Sequence, residues 1–234
     1  MPTPSVPDRP LVLLGAGGHA RVLLALLRAS GRAPLGVCDP TLQAECRGDW
    51  EGLPVLGGDE ALVRLGPTQV DLALGIGQLA RSGLRSRLYA FWRARGYTFP
   101  PLVHPTAWVA PDVALSDGVQ IMAGVVVQPG CVLGTNVTLN THSSVDHDCL
   151  IGANVHIAPG AVLCGGVQVG DGAFIGAGAV LIQGLRIGNA TVVGAGVTLV
   201  RDLVSGALIV GPANRPRDTD PGPTRDEAGA EDNR

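Results

Sequence analysis

Asp146, His147 and Asp148 stand in a row in "SSVDHDCLIG", residues 143–152, a segment that is otherwise short, repetitive and aliphatic. A histidine between carboxylates suits proton transfer near neutral pH, because imidazole titrates there and a neighbouring carboxylate keeps it basic. The plainer reading is a polar surface turn that happens to contain a histidine. Gly165, in the run "LCGGVQ", lies 18 residues further on. If the chain coils with that period, the Gly165 N–H stands ~4.8 Å above the imidazole, where it can donate to an oxyanion formed beside the ring. Spacing alone does not choose between Asp146 and Asp148 as the group that orients His147.

A second constellation lies near the start of the chain. Gly15, Gly17 and Ala20 in "GAGGHA" fit G-x-G-x-x-A, after the aliphatic run "LVLL" and at the head of an amphipathic stretch. A further strand in "LGVCDP" ends at Asp39. This is a βαβ unit, in which a helix N-terminus receives phosphate and an acidic residue about 20 to 25 positions on takes a ribose hydroxyl. A third strand, "VDLALGIG", brings Gly75 and Gly77 to the same cleft as a wall a ligand can approach closely. A full dinucleotide fold needs two such halves, so about 100 residues suit a mononucleotide-sized ligand better than NAD. "QLARSGLRSRLYAFWRARG" reads as a helix with Arg81, Arg85, Arg87, Arg93 and Arg95 on a mostly solvated basic face. "YTFPPLVHPTAWVAP" reads as a proline-rich linker.

The elements that must position the histidine are set by a repeat. Stepping by six from Val109 through Leu115, Ile121, Val127 and onward to Leu199 meets sixteen aliphatic residues without exception. With 46% of the chain apolar, chance gives such a run about four times in a million in one register. A smaller residue stands two places before each, as at Val119, Cys131, Ser143, Cys149 and Ala161. Short strands with inward positions two apart, separated by turns, describe a hexapeptide β-helix of roughly 18 residues per triangular coil. In that register Val145, Cys149 and Ile151 point inward, and residues 146–148 form an outward corner.

Composition bounds the rest. The chain has 234 residues, 34 of them glycine and only 3% aromatic, which favours close, repetitive packing. A formal charge of −3 gives no footprint for nucleic acid. No apolar run nears the ~18 residues needed to cross a membrane, and Leu11–Leu14 runs straight into the glycine turn, unlike a secretory signal. A cytoplasmic protein is expected. Five cysteines, odd in number and without C-x-x-C spacing, argue against a disulfide framework or a structural zinc site. None stands in a recognisable nucleophile setting.

The succession "GAGGHA…CDP…GIG…LVHP…LNTHSSVDHDCLIG…VHIAPGAVLCGGVQVG…FIGAGAV" resembles the nucleotide-sugar and sialic-acid acetyltransferases. These are hexapeptide-repeat acyltransferases that join a small Rossmann-like α/β domain to a left-handed parallel β-helix. The resemblance implies an α/β domain over residues 1–100 and a left-handed β-helix over 101–213; the tail at 214–234, which it does not cover, has no apolar period and is expected to be disordered. It implies that His147 is the general base, with Asp148 and Gly165 completing the catalytic set. It places Gly17, Gly18, His19, Asp39, Pro40 and Gly77 at the nucleotide-sugar, and Asn140, His156, Gly165, Ala177 and Ala195 at acetyl-CoA, in clefts between subunits of a homotrimer. His156, half a coil from His147, is expected on another edge of the prism, meeting it only across a subunit boundary.

The activity this implies is direct transfer of acetyl from acetyl-CoA, a co-substrate, to the amine of an amino-deoxy sugar nucleotide, with no bound cofactor or metal. The other readings are O-acetylation of a sialic acid and a nucleotide-sensing scaffold trimer without activity. A zinc carbonic anhydrase also uses this prism; His142 and His147 suit it, but the third ligand should lie near Thr106, and His104 misses by two residues.

Overall fold

The computed structural model describes residues 9–211; the tail expected at 214–234 lies outside them. The N-terminal part contains β1 (Leu11–Leu14), α1 (Gly18–Ala29), β2 (Gly36–Cys38), α2 (Pro40–Ala44), β3 (Asp49–Trp50), β4 (Leu53–Gly57), α3 (Asp59–Leu65), β5 (Asp71–Leu74) and α4 (Leu84–Arg93). β1 and β5 are buried along their whole length, as strands covered on both faces must be. The sheet order is β3-β4-β2-β1-β5, parallel except for the β3–β4 hairpin. β3, β4, α2 and α3 give no periodic apolar signal, since β4 contains Pro54 and is only partly covered.

Two sequence expectations need correction here. The basic stretch starts its helix at Leu84, and Arg85 is not on a solvated face: it is 2% exposed. Its Nη1 donates to the Leu74 and Ile76 carbonyls at 3.0 and 2.8 Å, at the end of β5. The proline-rich stretch is not a free linker either. Tyr97 and Phe99 are buried, and Leu102–Val103 is already a strand of the prism. Two aromatic rings of α4 draw these residues into the core, Tyr89 against Phe99 and Trp92 against Tyr97.

From Leu102–Val103 to Leu208–Ile209 the chain makes two-residue strands that stack into parallel sheets of seven, six and five strands. On the first face Gln120 pairs with Thr138, Thr138 with His156, and His156 with Phe174, each one coil apart. The second face stacks Val126, Ser144 and Val162, and the third Val132, Leu150 and Gln168. The second residue of each strand points inward: Ile121, Leu139, Ile157, Leu163 and Leu181 are fully buried. Corners recur every six residues with one residue at positive φ, as at Gly118, Gly124, Gly130, Gly160 and Gly166. Glycine adopts that conformation without steric cost, which explains its abundance. The last coil is short, since Val192 pairs with Leu208.

The N-terminal part sits on the first face. Leu102, Gln120, Thr138 and His156 are buried beneath it. Asp117 ties the two parts together: it accepts from Tyr89 Oη at 2.8 Å and from the Phe99 N–H at 3.1 Å, and pairs with Arg93 Nε at 3.3 Å.

Candidate active site

The corner between Ser144–Val145 and Leu150–Ile151 carries the histidine, and it joins the second face to the third. Asp148 sits at φ 58, in the slot that glycine fills at most other corners. Asn136, His142, Asn154 and Ala190 hold the same conformation at their corners, so the slot accepts a side chain there. Asp148 Oδ2 lies 2.8 Å from His147 Nδ1, whereas Asp146 Oδ1 accepts from the His147 backbone N–H at 2.8 Å. Asp148 therefore orients the ring, and Asp146 shapes the turn. With Nδ1–H held by Asp148, the Nε2 lone pair is free. The hydrogen bond that His147 Nδ1–H donates to Asp148, reinforced by the charges of Asp146 and Asp148, raises the His147 pKa above its ordinary value, against a smaller desolvation effect.

Gly165 stacks on this ring as the period requires. A Cβ built there would lie 2.5 Å from His147 Nε2, so only glycine leaves the imidazole its place. Gly166 N–H donates to the His147 carbonyl at 2.8 Å, while the Gly165 N–H has no acceptor among the described residues. The His147 ring and the unpaired Gly165 N–H are thus neighbours on one corner. The His147 and Asp148 side chains are 63% and 73% exposed in a single chain, so this half of the site is open.

The glycine turn behaves as a cradle. Gly15 has φ 91, and a Cβ there would strike Ile76; an added Cβ at Gly17 or Gly18 meets nothing within 4 Å. Backbone at the head of α1 is therefore open to a ligand. Asp39 has structural work beside any ligand: Oδ1 caps α2 through Thr41 N and Leu42 N at 2.8 and 3.1 Å, Pro40 opens that helix, and Oδ2 accepts from Ala16 N at 3.0 Å. A Cβ at Gly77 would contact His19 at 3.4 Å. His19 in turn reaches the prism, its Nε2 lying 2.8 Å from Gln120 Oε1.

His156 lies mid-face in the strand His156–Ile157, not on an edge. It is 6% exposed, stacks on Phe174 with ring centroids 5.0 Å apart, and leaves Nδ1 buried and unpaired. Burial first, then His19 and Arg85, lowers its pKa to about 4. Asn140 accepts from Thr141 N at 2.8 Å at the corner joining the first and second faces. Ala177 and Ala195 are exposed on the same corner column, where a Cβ on Gly176 would press against Ala195 N. One chain therefore does not bring His147 and Gly165 together with Asn140, His156, Ala177 and Ala195, since the second face separates the two columns. His142 belongs to that other column, and His104 Nδ1 is bonded to Thr106, so neither approaches His147. Among the described residues no three His, Cys, Asp or Glu side chains gather as a metal-binding set. Arg85, Gln120 and Thr138 are the buried polar residues of the cleft that sequence patterns did not single out as site residues; a lone Gln at an outward hexad position carries no periodic signal.

Comparison with known proteins bears on both halves. A family model for the PglD N-terminal domain matches residues 10–89. The bacterial transferase hexapeptide (six repeats) matches 148–183, and the hexapeptide repeat of succinyl-transferase 166–201. The chain is similar to PerB from Caulobacter crescentus in complex with CoA and GDP-perosamine, with 38% identity over 86% of this chain and 94% of that one and a TM-score of 0.78. It is similar to the acetyltransferase domain of PglB from Neisseria gonorrhoeae FA1090 in complex with acetyl coenzyme A, with 36% identity over 87% and 97% and a TM-score of 0.80. WeeI from Acinetobacter baumannii AYE, at 23% identity over 87% and 97% with a TM-score of 0.78, shares the fold. No curated protein sequence matches the chain.

Proposed function

Because this chain belongs to the nucleotide-sugar acetyltransferase family of hexapeptide-repeat, left-handed β-helix acyltransferases, we propose that it acetylates the amine of an amino-deoxy sugar nucleotide with acetyl-CoA. PerB, similar along nearly the whole chain, is a perosamine N-acetyltransferase whose structure holds CoA and GDP-perosamine. The observation that carries the reading is the corner geometry: His147 is fixed through Nδ1 by Asp148, and its Nε2 stands over Gly165.

The chemistry follows from those atoms. His147 Nε2 takes a proton from the sugar amine as its nitrogen attacks the thioester carbonyl. The Gly165 N–H donates to the oxyanion of the tetrahedral intermediate. As the intermediate collapses, the C–S bond breaks, and the departing CoA sulfur takes the proton back from the imidazolium. The amide and free CoA thiol result, with His147 neutral again. No covalent enzyme intermediate is needed: burial pushes the Cys149 thiol up to about 12 and also raises Cys131, leaving neither as a thiolate.

The acting form in this reading is a homotrimer in the cytoplasm. Each site pairs the open His147 corner of one chain with the Asn140, His156, Ala177 and Ala195 side of the next, and the glycine cradle holds the nucleotide. No helix among the described residues is long and apolar enough to cross a membrane. The test is CoA release from acetyl-CoA with a panel of amino-deoxy sugar nucleotides, beginning with GDP-perosamine, and with free sialic acids alongside. Turnover of a sugar nucleotide with N-acetyl product is expected; turnover of sialic acids alone, with O-acetyl product, overturns the reading.

A further inference from the structure

His19 is contacted from two sides by groups that want opposite things of its Nε2. Gln120 Oε1 accepts, at 2.8 Å. The Arg85 guanidinium donates, but its Nη1 is 3.5 Å away, and its two hydrogens are directed at the Leu74 and Ile76 carbonyls. Gln120 cannot turn its amide over, because its Nε2 donates to the Leu74 carbonyl at 3.0 Å. Nε2 of His19 therefore carries the hydrogen. A proton on Nδ1 as well would place an imidazolium beside a buried guanidinium. Burial and Arg85 accordingly lower the His19 pKa to about 4, with the Gln120 bond acting weakly the other way. Nδ1 has no hydrogen-bond partner among the described residues, yet it is not one of the buried unpaired atoms. It is open to solvent, on the second residue of α1 and next to the open backbone of the glycine turn in sequence.

We propose that Gln120 and Arg85 are positioning residues that hold His19 as the neutral Nε2–H tautomer, so that its Nδ1 lone pair accepts a hydrogen bond from a hydroxyl or N–H of the nucleotide-sugar. The diphosphate is excluded as the partner of this atom, because phosphate oxygens are acceptors and two lone pairs repel. The phosphates are left to the backbone N–H groups at the head of α1. His19 thus reads a donor on the acceptor substrate, and Gln120 on the prism makes that reading depend on docking of the two halves. The identity of the ligand rests on the proposed activity; the tautomer does not.

The test has two parts. Nitrogen-15 NMR of the imidazoles should show His19 as the Nε2–H tautomer between pH 6 and 8 on the usual imidazole scale. In Gln120→Leu, with the acceptor gone, nothing holds the hydrogen on Nε2, and the Nδ1–H tautomer should become populated. Calorimetry should then find GDP-perosamine bound about tenfold more weakly, with acetyl-CoA unchanged. GDP alone separates the sources of the donor: its affinity falls too if a ribose hydroxyl is read, and stays if the hexose is. Gln120→Glu provides rescue. Its carboxylate favours imidazolium, so binding should be weak at low pH and recover as pH rises and Nδ1 is freed. The other titratable and charged groups facing the ring, Arg85 from α4 and His156 from the prism face, are unchanged in that variant. A wild-type His19 that is Nδ1–H or charged at pH 7 overturns the proposal. So does Gln120→Glu binding without pH dependence, which also decides the matter if Gln120→Leu fails to fold. If the wild type binds no sugar nucleotide, the proposed activity fails, while the NMR measurement still decides the tautomer.

Discussion

His147 Nε2 rests against Gly165, one coil on, at a separation that leaves no room for a β-carbon: a Cβ on Gly165 would fall 2.5 Å from that nitrogen. Gly165 is glycine for space rather than for backbone freedom, because the left-handed residue of this corner is the next one, Gly166, at φ 70. The contact fixes where the proposed base and the proposed oxyanion donor stand relative to each other, and it sets up the first prediction.

Gly165→Ala should fold normally, since the atoms the new methyl meets belong to an exposed, rotatable side chain rather than to backbone. It should displace the imidazole and lower kcat by roughly 10- to 100-fold, because small misplacements of a base are costly. A melting temperature near the wild type with kcat reduced is the expected pair of results.

His147→Ala should lower kcat by roughly 10² to 10⁴ and leave the circular dichroism spectrum intact, as an exposed corner side chain contributes little to the core. A near-normal rate would remove His147 as the base.

Because the base works in its neutral form, kcat/KM should rise with pH through an inflection above the ordinary histidine value, the direction in which Asp148 moves His147. Asp148→Asn keeps an acceptor at Nδ1 and tolerates φ 58, but removes the charge. The inflection should move to lower pH and the plateau should fall about tenfold. A pH–rate profile of the two proteins checks both.

Stability should fall in mild acid. His19 and His156 have pKa values of about 4 in the folded protein against an ordinary 6.5. Between those values the unfolded chain binds more protons at these two sites than the folded one, so their contribution to stability is lost as pH drops from about 6.5 to 4 and is flat above. Each histidine contributes at most about 3 kcal/mol to that loss. Melting temperatures at pH 7 and pH 5 should differ, and His156→Phe should narrow the difference.

Sedimentation velocity at micromolar concentration should give a trimer, since one chain separates His147 from the His156 column. A fully active monomer would defeat the interfacial site.

The hexad repeat made much of this legible in advance. Inward burial of Val145, Cys149 and Ile151, the outward corner at 146–148 and the stacking of Gly165 all follow from counting by six and eighteen. The choice of Asp148 over Asp146 was open in the sequence, although Asp148 occupies the slot that Gly130 and Gly166 fill one coil away on the same edge. The burial of Arg85 is not legible locally, because a basic run on a helix is ordinarily solvated and nothing local signals that two carbonyls at the end of β5 receive one of its members.

What the sequence by itself determined is therefore the coil, its register and the His147–Gly165 pair, because a repeat with translational symmetry writes its own contacts into residue spacing. What only the tertiary structure decided is the meeting of His19 with Gln120, 101 residues apart, and the burial of Arg85 and His156 around it. Those contacts arise where a α/β surface docks on one prism face. Complementarity between two unlike surfaces has no period, so it appears only when both are folded and in place.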